Sequence, residues 1–304
     1  MFERPDSVAK TFVAYGAAMM SCFFRRARAA GLCAVLAAMI AGGGAAFAGE
    51  PGFGEWVDGH ASRTRLVIGP MVAPGEYLAG VQIQMDRGWH TYWRNPGDSG
   101  VPPSFDWSQS ENTAETIVQW PAPVSIPDAY GTSIGYFDEV VYPVVVKLED
   151  ADEQALLRLA LDYAVCEEIC VPLRSELSVK LEPGGKASDS ATGLVNYYSR
   201  MVPPRQQPAQ QHEPRIERAT SRLDDGRVVL NIEARSSMPA EVFVEGPAQF
   251  FISATAGVDD GGRDRARFVV EVGGAKTPDE LAGAALTATL VSAQGAVEHS
   301  WTVD

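Results

Sequence analysis

Two cysteines three residues apart are the part of this chain best suited to chemistry. They stand in the run Tyr163-Ala164-Val165-Cys166-Glu167-Glu168-Ile169-Cys170-Val171-Pro172. A disulfide needs Cα atoms about 4.4–6.8 Å apart, which a tight reversal over three residues can supply. Spacing alone leaves two uses open. One is a permanent staple, as exported proteins carry. Closing so short a loop removes little unfolded-chain entropy, about 2 kcal/mol, so the staple would be a weak one. The other use is reversible exchange, in which one thiolate attacks a partner's disulfide and the second thiol resolves the mixed species. Glu167 and Glu168 lie between the two cysteines, and nearby negative charge disfavours a thiolate. Such a pair should react slowly with indiscriminate oxidants and exchange inside a specific complex.

Other cysteine chemistries fit less well. A thioredoxin site needs Cys-x-x-Cys near a βαβ pattern, and neither is present. Zinc needs further Cys or His at ligand spacing. Copper(I) suits soft thiolates, so a copper(I)-binding or client-binding protein without turnover is the alternative, with His90, Met71 and Met85 as further donors. No cofactor and no resident metal is expected.

The chain has 304 residues and four cysteines, but the other two, Cys22 and Cys33, fall in a different kind of segment. Arg25, Arg26 and Arg28 precede an apolar run from Ala29 to Ile40, and Ala46-Phe47-Ala48 closes it. A basic start, a short apolar middle and a small-x-small end describe a cleavable export signal over residues 1–48. Its loss removes five basic and two acidic residues, and the formal charge moves from −14 to −17. No later run is apolar for the roughly 20 residues that a spanning helix needs. The acidic balance argues against nucleic acid, whose phosphates call for Lys and Arg. It also argues against an electrostatic hold on anionic lipid. The expected product is an exported protein with one cysteine pair.

Strands must position that pair. Apolar residues make up 46% of the chain, and 29 Gly with 20 Pro favour turns and strands over long helices. Leu157, Leu159, Leu161, Tyr163 and Val165 alternate with small or polar residues, as do Leu177, Val179 and Leu181. These two strands flank the cysteines and place them at a hairpin tip. Arg63–Ile68, Tyr77–Met85 and Val140–Leu148 complete a β-rich domain over residues 50–182. Residues 183–214 read as a linker with a short docking helix, because Leu194, Tyr197, Tyr198 and Met201 fall at helical spacing. Residues 215–304 hold six or more short strand runs and no cysteine. The fold expected is all-β, two immunoglobulin-like sandwiches joined by that linker. Trp89, Tyr92 and Trp93 either fill the core or, with His90, rim the redox pair. Arg94, Asn95 and Asp98 are expected to fix the turn that follows.

The residues Tyr163 to Leu181, Asp128-Ala129-Tyr130-Gly131-Thr132-Ser133 and Tyr136 to Val144 together resemble the periplasmic N-terminal domain of the disulfide reductase DsbD. The segment Gly88 to Gly100 resembles the related ScsB proteins, linked to suppression of copper sensitivity, which share the Cys-x-x-x-Cys-x-Pro arrangement. The resemblance implies an immunoglobulin-like, periplasmic thiol–disulfide exchange module. It implies that Cys170 engages partners and that Cys166 resolves. It implies a cap loop at Asp128, Ala129 and Tyr130; the position that is aromatic in the family pattern is Ala129 here, so Tyr130 is expected to substitute as the lid, with Asp128 holding or relaying the thiol proton. The implied partners are a separate membrane-embedded disulfide reductase as electron donor, and periplasmic clients. Those clients are disulfide isomerases, thioredoxin-like proteins of cytochrome c maturation, or peroxide-defence proteins.

Overall fold

The alternation of Leu157, Leu159, Leu161, Tyr163 and Val165 becomes the inner face of a strand, Ala155–Cys166, with all five side chains buried. In this computed structural model the described residues are 50–304 except 128–130, 253–254, 257 and 260–263. The expected export signal and the three cap-loop residues lie outside the described residues.

The sheet that carries the cysteines runs Cys170–Leu181, Ala155–Cys166, His90–Gly97, Thr132–Phe137, Val124–Pro127, and the short strand Ser104–Asp106 also pairs with Ala155–Cys166. The facing sheet runs Val57–Gly59, Ser62–Ala73, Glu76–Met85, Glu139–Lys147, Glu115–Val118. Their inner faces bury one core that includes Leu66, Ile83, Trp93, Tyr142 and Leu161. Two antiparallel sheets packed over one core make an immunoglobulin-like sandwich.

Glu139–Lys147 is buried on both faces. One face joins the core, and the other lies under the helix Asp189–Ser199, which buries Ala191 and Val195 beside Val67. Ser188 starts this helix, its Oγ accepting from the Ala191 N–H at 3.2 Å. The buried helix face differs from the apolar stripe in the sequence, since Tyr197 and Met201 are exposed. Small residues allow the close approach instead. A Cβ at Gly80 would stand 2.6 Å from a Val141 methyl and 3.4 Å from a Val195 methyl. Past the helix, the Gln206 N–H donates to the Glu298 carbonyl at 2.7 Å, and the Glu298 N–H donates to the Pro204 carbonyl at 2.9 Å.

Residues 215–304 supply the second sandwich. One sheet is built on Arg215–Asp224, Arg227–Arg235 and Arg265–Gly273, the other on Ala240–Glu245, Ala285–Ser292 and Gly295–Thr302. Ile232, Val242, Phe268 and Leu290 lie in its core. Among the described residues no helix is long and apolar enough to cross a membrane.

Candidate functional site

Ala155–Cys166 alternates buried with more exposed residues as far as Asp162, and its last four residues are all buried. By parity Ala164 and Cys166 share the outer face with Arg158 and Asp162, where solvent is the usual neighbour. Tyr92 replaces solvent there. Tyr92, Ala164 and Cys166 form a small buried cluster apart from the main core. The redox pair thus sits on the outside of the sandwich, beneath one tyrosine.

Cys166 and Cys170 are register partners across the hairpin, with Cα atoms 4.2 Å apart and a disulfide between them. Glu167, Glu168 and Ile169 make the tip. The two sulfurs differ in access. Cys166 is 2% exposed, whereas Cys170 is open to solvent. The Tyr92 hydroxyl lies 2.6 Å from Cys166 Sγ and 3.1 Å from Cys170 Sγ. A disulfide sulfur carries no proton, so the hydroxyl is the donor. After reduction the same hydroxyl can donate to a thiolate, and a hydrogen bond to the charged form favours that form.

A row of register partners crosses four strands: Cys170, Cys166, His90, Phe137. Cross-strand partners share a face, so an imidazole stands next to the pair. His90 is buried, edge-on to Tyr92 at 5.5 Å and to Phe137 at 5.8 Å between ring centroids. It can accept or give a proton at this site. Phe137 is exposed at one end of the row, and Ile169, 72% exposed, stands at the hairpin tip.

Second-tier contacts hold Tyr92 and His90. The Tyr142 hydroxyl donates to the Tyr92 carbonyl at 2.9 Å. Burial holds the Tyr142 hydroxyl well above the usual tyrosine range, so it acts as a neutral donor. The Thr91 hydroxyl donates to the Ala164 carbonyl at 2.8 Å, tying the tyrosine strand to the cysteine strand. Asp138 braces the loop that enters His90. Its carboxylate accepts from the Gly88 N–H at 3.0 Å, and its own N–H donates to the Trp89 carbonyl at 3.0 Å. It does so with φ +60, a conformation that aspartate tolerates better than most residues. The sequence reading missed Asp138. Its only signal was a single aspartate between two apolar runs.

The four aromatic positions named as a rim separate by parity. Tyr92 reaches both sulfurs, and His90 stands on the same face as the register partner of Cys166. Of its two expected places Trp93 takes the core: it points the opposite way, is fully buried, and meets Phe243 at 5.9 Å. Trp89 precedes the strand, edge-on to His60 at 5.2 Å and packed against the first core. Of the three expected turn residues, Asp98 and Asn95 brace the turn, accepting from the Thr132 N–H at 2.9 Å and the Gly97 N–H at 3.3 Å. Arg94 is committed elsewhere, to Glu245 and Glu298. Among the described residues no group of three or more His, Cys, Asp or Glu side chains is arranged to hold a metal ion.

Residues 68–182 match the family described as thiol:disulfide interchange protein DsbD, N-terminal. Among solved structures, the N-terminal periplasmic domain of ScsB from Proteus mirabilis superposes with a TM-score of 0.66. The two are 20% identical, and the match covers 84% of this chain and 99% of that one. At that identity the likeness shows the fold. No curated protein matches the chain in sequence. The family match spans Tyr92, His90, Phe137 and both cysteines, and this chain therefore carries a DsbD N-terminal-like domain over residues 68–182.

Proposed function

We propose that this protein is a periplasmic thiol–disulfide exchange module, in which Cys170 meets the partner and Cys166 resolves. One observation carries the reading: a disulfide at a hairpin tip has one sulfur exposed, the other buried, and a single hydroxyl within hydrogen-bond reach of both. An incoming thiolate or disulfide can reach only the exposed sulfur, so the two cysteines have different tasks. The DsbD N-terminal match supports the same chemistry.

The cycle balances as follows. The Cys170 thiolate of the reduced protein attacks a partner disulfide, and an S–S bond forms between Cys170 and one partner sulfur. The other partner sulfur leaves as a thiolate and takes a proton. The Cys166 thiolate then attacks the Cys170 sulfur, which re-forms the internal disulfide and releases the partner as a dithiol. Two electrons pass to the partner. Tyr92 favours the Cys166 thiolate during resolution by donating to it, against the opposing field of Glu167 and Glu168. A membrane-embedded disulfide reductase returns two electrons to the pair, and thioredoxin-like proteins or disulfide isomerases are the clients. In this reading Tyr130 covers the pair between encounters and Asp128 relays the thiol proton.

The test is trapping. Cys166→Ser in the full chain leaves Cys170 without its resolving partner, so a client should accumulate as a mixed disulfide that mass spectrometry identifies. Cys170→Ser should trap far less. The reading fails if neither variant traps a protein and the wild-type disulfide has a potential below about −300 mV, where structural bonds lie.

A further inference from the structure

We propose that the second sandwich is a positioning element for the redox pair. It acts through a three-residue seam, Trp93-Arg94-Asn95, that fixes where the Tyr92 hydroxyl sits. The inference rests on the exchange function above and gives the C-terminal half of the chain a part in it.

The seam begins at the residue after Tyr92 and grips three consecutive residues of the second sandwich. The Trp93 ring packs on Phe243 at 5.9 Å. The Asn95 side-chain N–H donates to the Val244 carbonyl at 3.3 Å. Arg94 holds Glu245 with both ends of its fork, Nε at 2.9 Å and Nη2 at 2.6 Å. The same Nη2 also donates to Glu298 at 2.6 Å. The Arg94 guanidinium stacks over the Trp93 ring at 4.4 Å, so the seam is also tied within itself.

The ladder of the first sandwich explains why this grip matters. His90, Thr91 and Tyr92 pair in register with Thr132–Phe137, and the pairing resumes only at Gly97. On the other side, Ala155–Cys166 pairs with the strand at His90 alone. Among the described residues the backbone just past Tyr92 therefore lacks regular sheet bonds, and at that point the side-chain contacts to Phe243, Val244 and Glu245 are made. A tyrosine whose hydroxyl must reach two sulfurs needs its backbone fixed to within a few tenths of an ångström.

Arg94 is the close cation of the ion cluster at the seam. One arginine meets two glutamates, and all three side chains are largely buried, at 26%, 24% and 15% exposure. Burial alone would lower the Arg94 pKa, but the hydrogen bonds and charge of Glu245 and Glu298 outweigh it, and the net shift is upward. Arg205 stands 3.9 Å from Glu298 on the far side and is mostly exposed. Removing the Arg94 charge leaves the two carboxylates with only the longer, exposed contact from Arg205 to Glu298, which weakens the hold of the second sandwich on the strand. Tyr92 then loses its fixed position, and the thiolate form of the pair loses its donor.

The test is the equilibrium of the full chain with glutathione: protein disulfide plus two glutathione thiols gives protein dithiol plus glutathione disulfide. Arg94→Ala should move it towards the protein disulfide by about fivefold, a normal coupling between contacting residues. Arg94→Lys should recover part of the loss, since it restores the charge without the two-pronged fork. In a Tyr92→Phe background Arg94→Ala should add less than about twofold, because the hydroxyl it positions is gone. Phe243→Leu, which leaves the charges intact, gives a second reading of the seam if Arg94→Ala folds poorly. Equal shifts with and without the Tyr92 hydroxyl overturn the inference, as do folded seam variants that match wild type. A wild-type pair that never equilibrates with glutathione overturns the exchange function itself and the inference with it.

Discussion

At the scale of single residues, the proposed exchange turns on the Tyr92 hydroxyl, which stands within hydrogen-bond reach of both sulfurs. A donor shared by two sulfurs does little for the disulfide, which is a weak acceptor, and much more for a thiolate, which is a charged one. Tyr92→Phe keeps the ring that covers Cys166 and removes only the donor. The expected result is a thiol–disulfide equilibrium moved about tenfold towards the disulfide, the size of one hydrogen bond to a charged group. The sign depends on pH. The donor favours the thiolate only where the thiol has ionised, so the effect should be full above the thiol pKa and fade below it. Glutathione equilibria at about pH 6 and pH 9 bracket the usual thiol pKa and check this. The same shift at both pH values would refute the role. The cysteines were legible because type and spacing carry their chemistry. The role of Tyr92 was not, because its sulfur partner is 74 positions away. Choosing between Tyr92 and Trp93 required the face of the strand, and that is set by which neighbours it pairs with.

At the scale of elements, the hairpin and the helix do separate work. The hairpin arms pair in unbroken register from Ala155 with Leu181 to Cys166 with Cys170, so its tip is carried on a long rigid stem. The helix Asp189–Ser199 packs on the sheet that does not bear the cysteines. Val195→Ala should therefore lower the unfolding free energy by about 2 kcal/mol through the cavity it leaves. Denaturant titration measures that loss, and the glutathione equilibrium should stay where it was. A moved equilibrium would mean that packing on the far sheet reaches the redox pair. Alternation made the cysteine-bearing strands readable, since one buried face repeats every second residue. The helix was readable as an element but not as a face. Ala191 is too small to mark a stripe, and the space it fills beside Gly52, like the space Val195 fills beside Gly80, exists only once distant segments come together. The break in the ladder after Tyr92 was legible as the turn expected at Arg94, Asn95 and Asp98, but not as a seam to the second sandwich, because the partners Phe243 to Glu245 are about 150 positions away.

At the scale of the whole molecule, charge is expected to bias what approaches the exposed sulfur. The chain carries a formal charge of −14, and Glu167 and Glu168 stand exposed at the tip beside Cys170. A field of one sign around a small reactive target raises the encounter rate of oppositely charged reactants and lowers that of like-charged ones. Two small disulfides test this, the cationic cystamine and the anionic dithiodiglycolate. Each is reduced to two thiols as the protein dithiol becomes the disulfide. Their intrinsic reactivities differ, so salt carries the test. Raising the ionic strength from about 0.01 M to 1 M shortens the screening length from about 30 Å to 3 Å. Cystamine reduction should slow with salt and dithiodiglycolate reduction should speed up. Joint substitution Glu167→Gln and Glu168→Gln should shrink both trends, since the nearest charges dominate at short range. Rates that ignore salt for both reagents would leave the acidic surface without a part in exchange. Opposite trends for the two reagents would show that the acidic surface steers charged disulfides, and would favour a client whose disulfide lies among basic side chains.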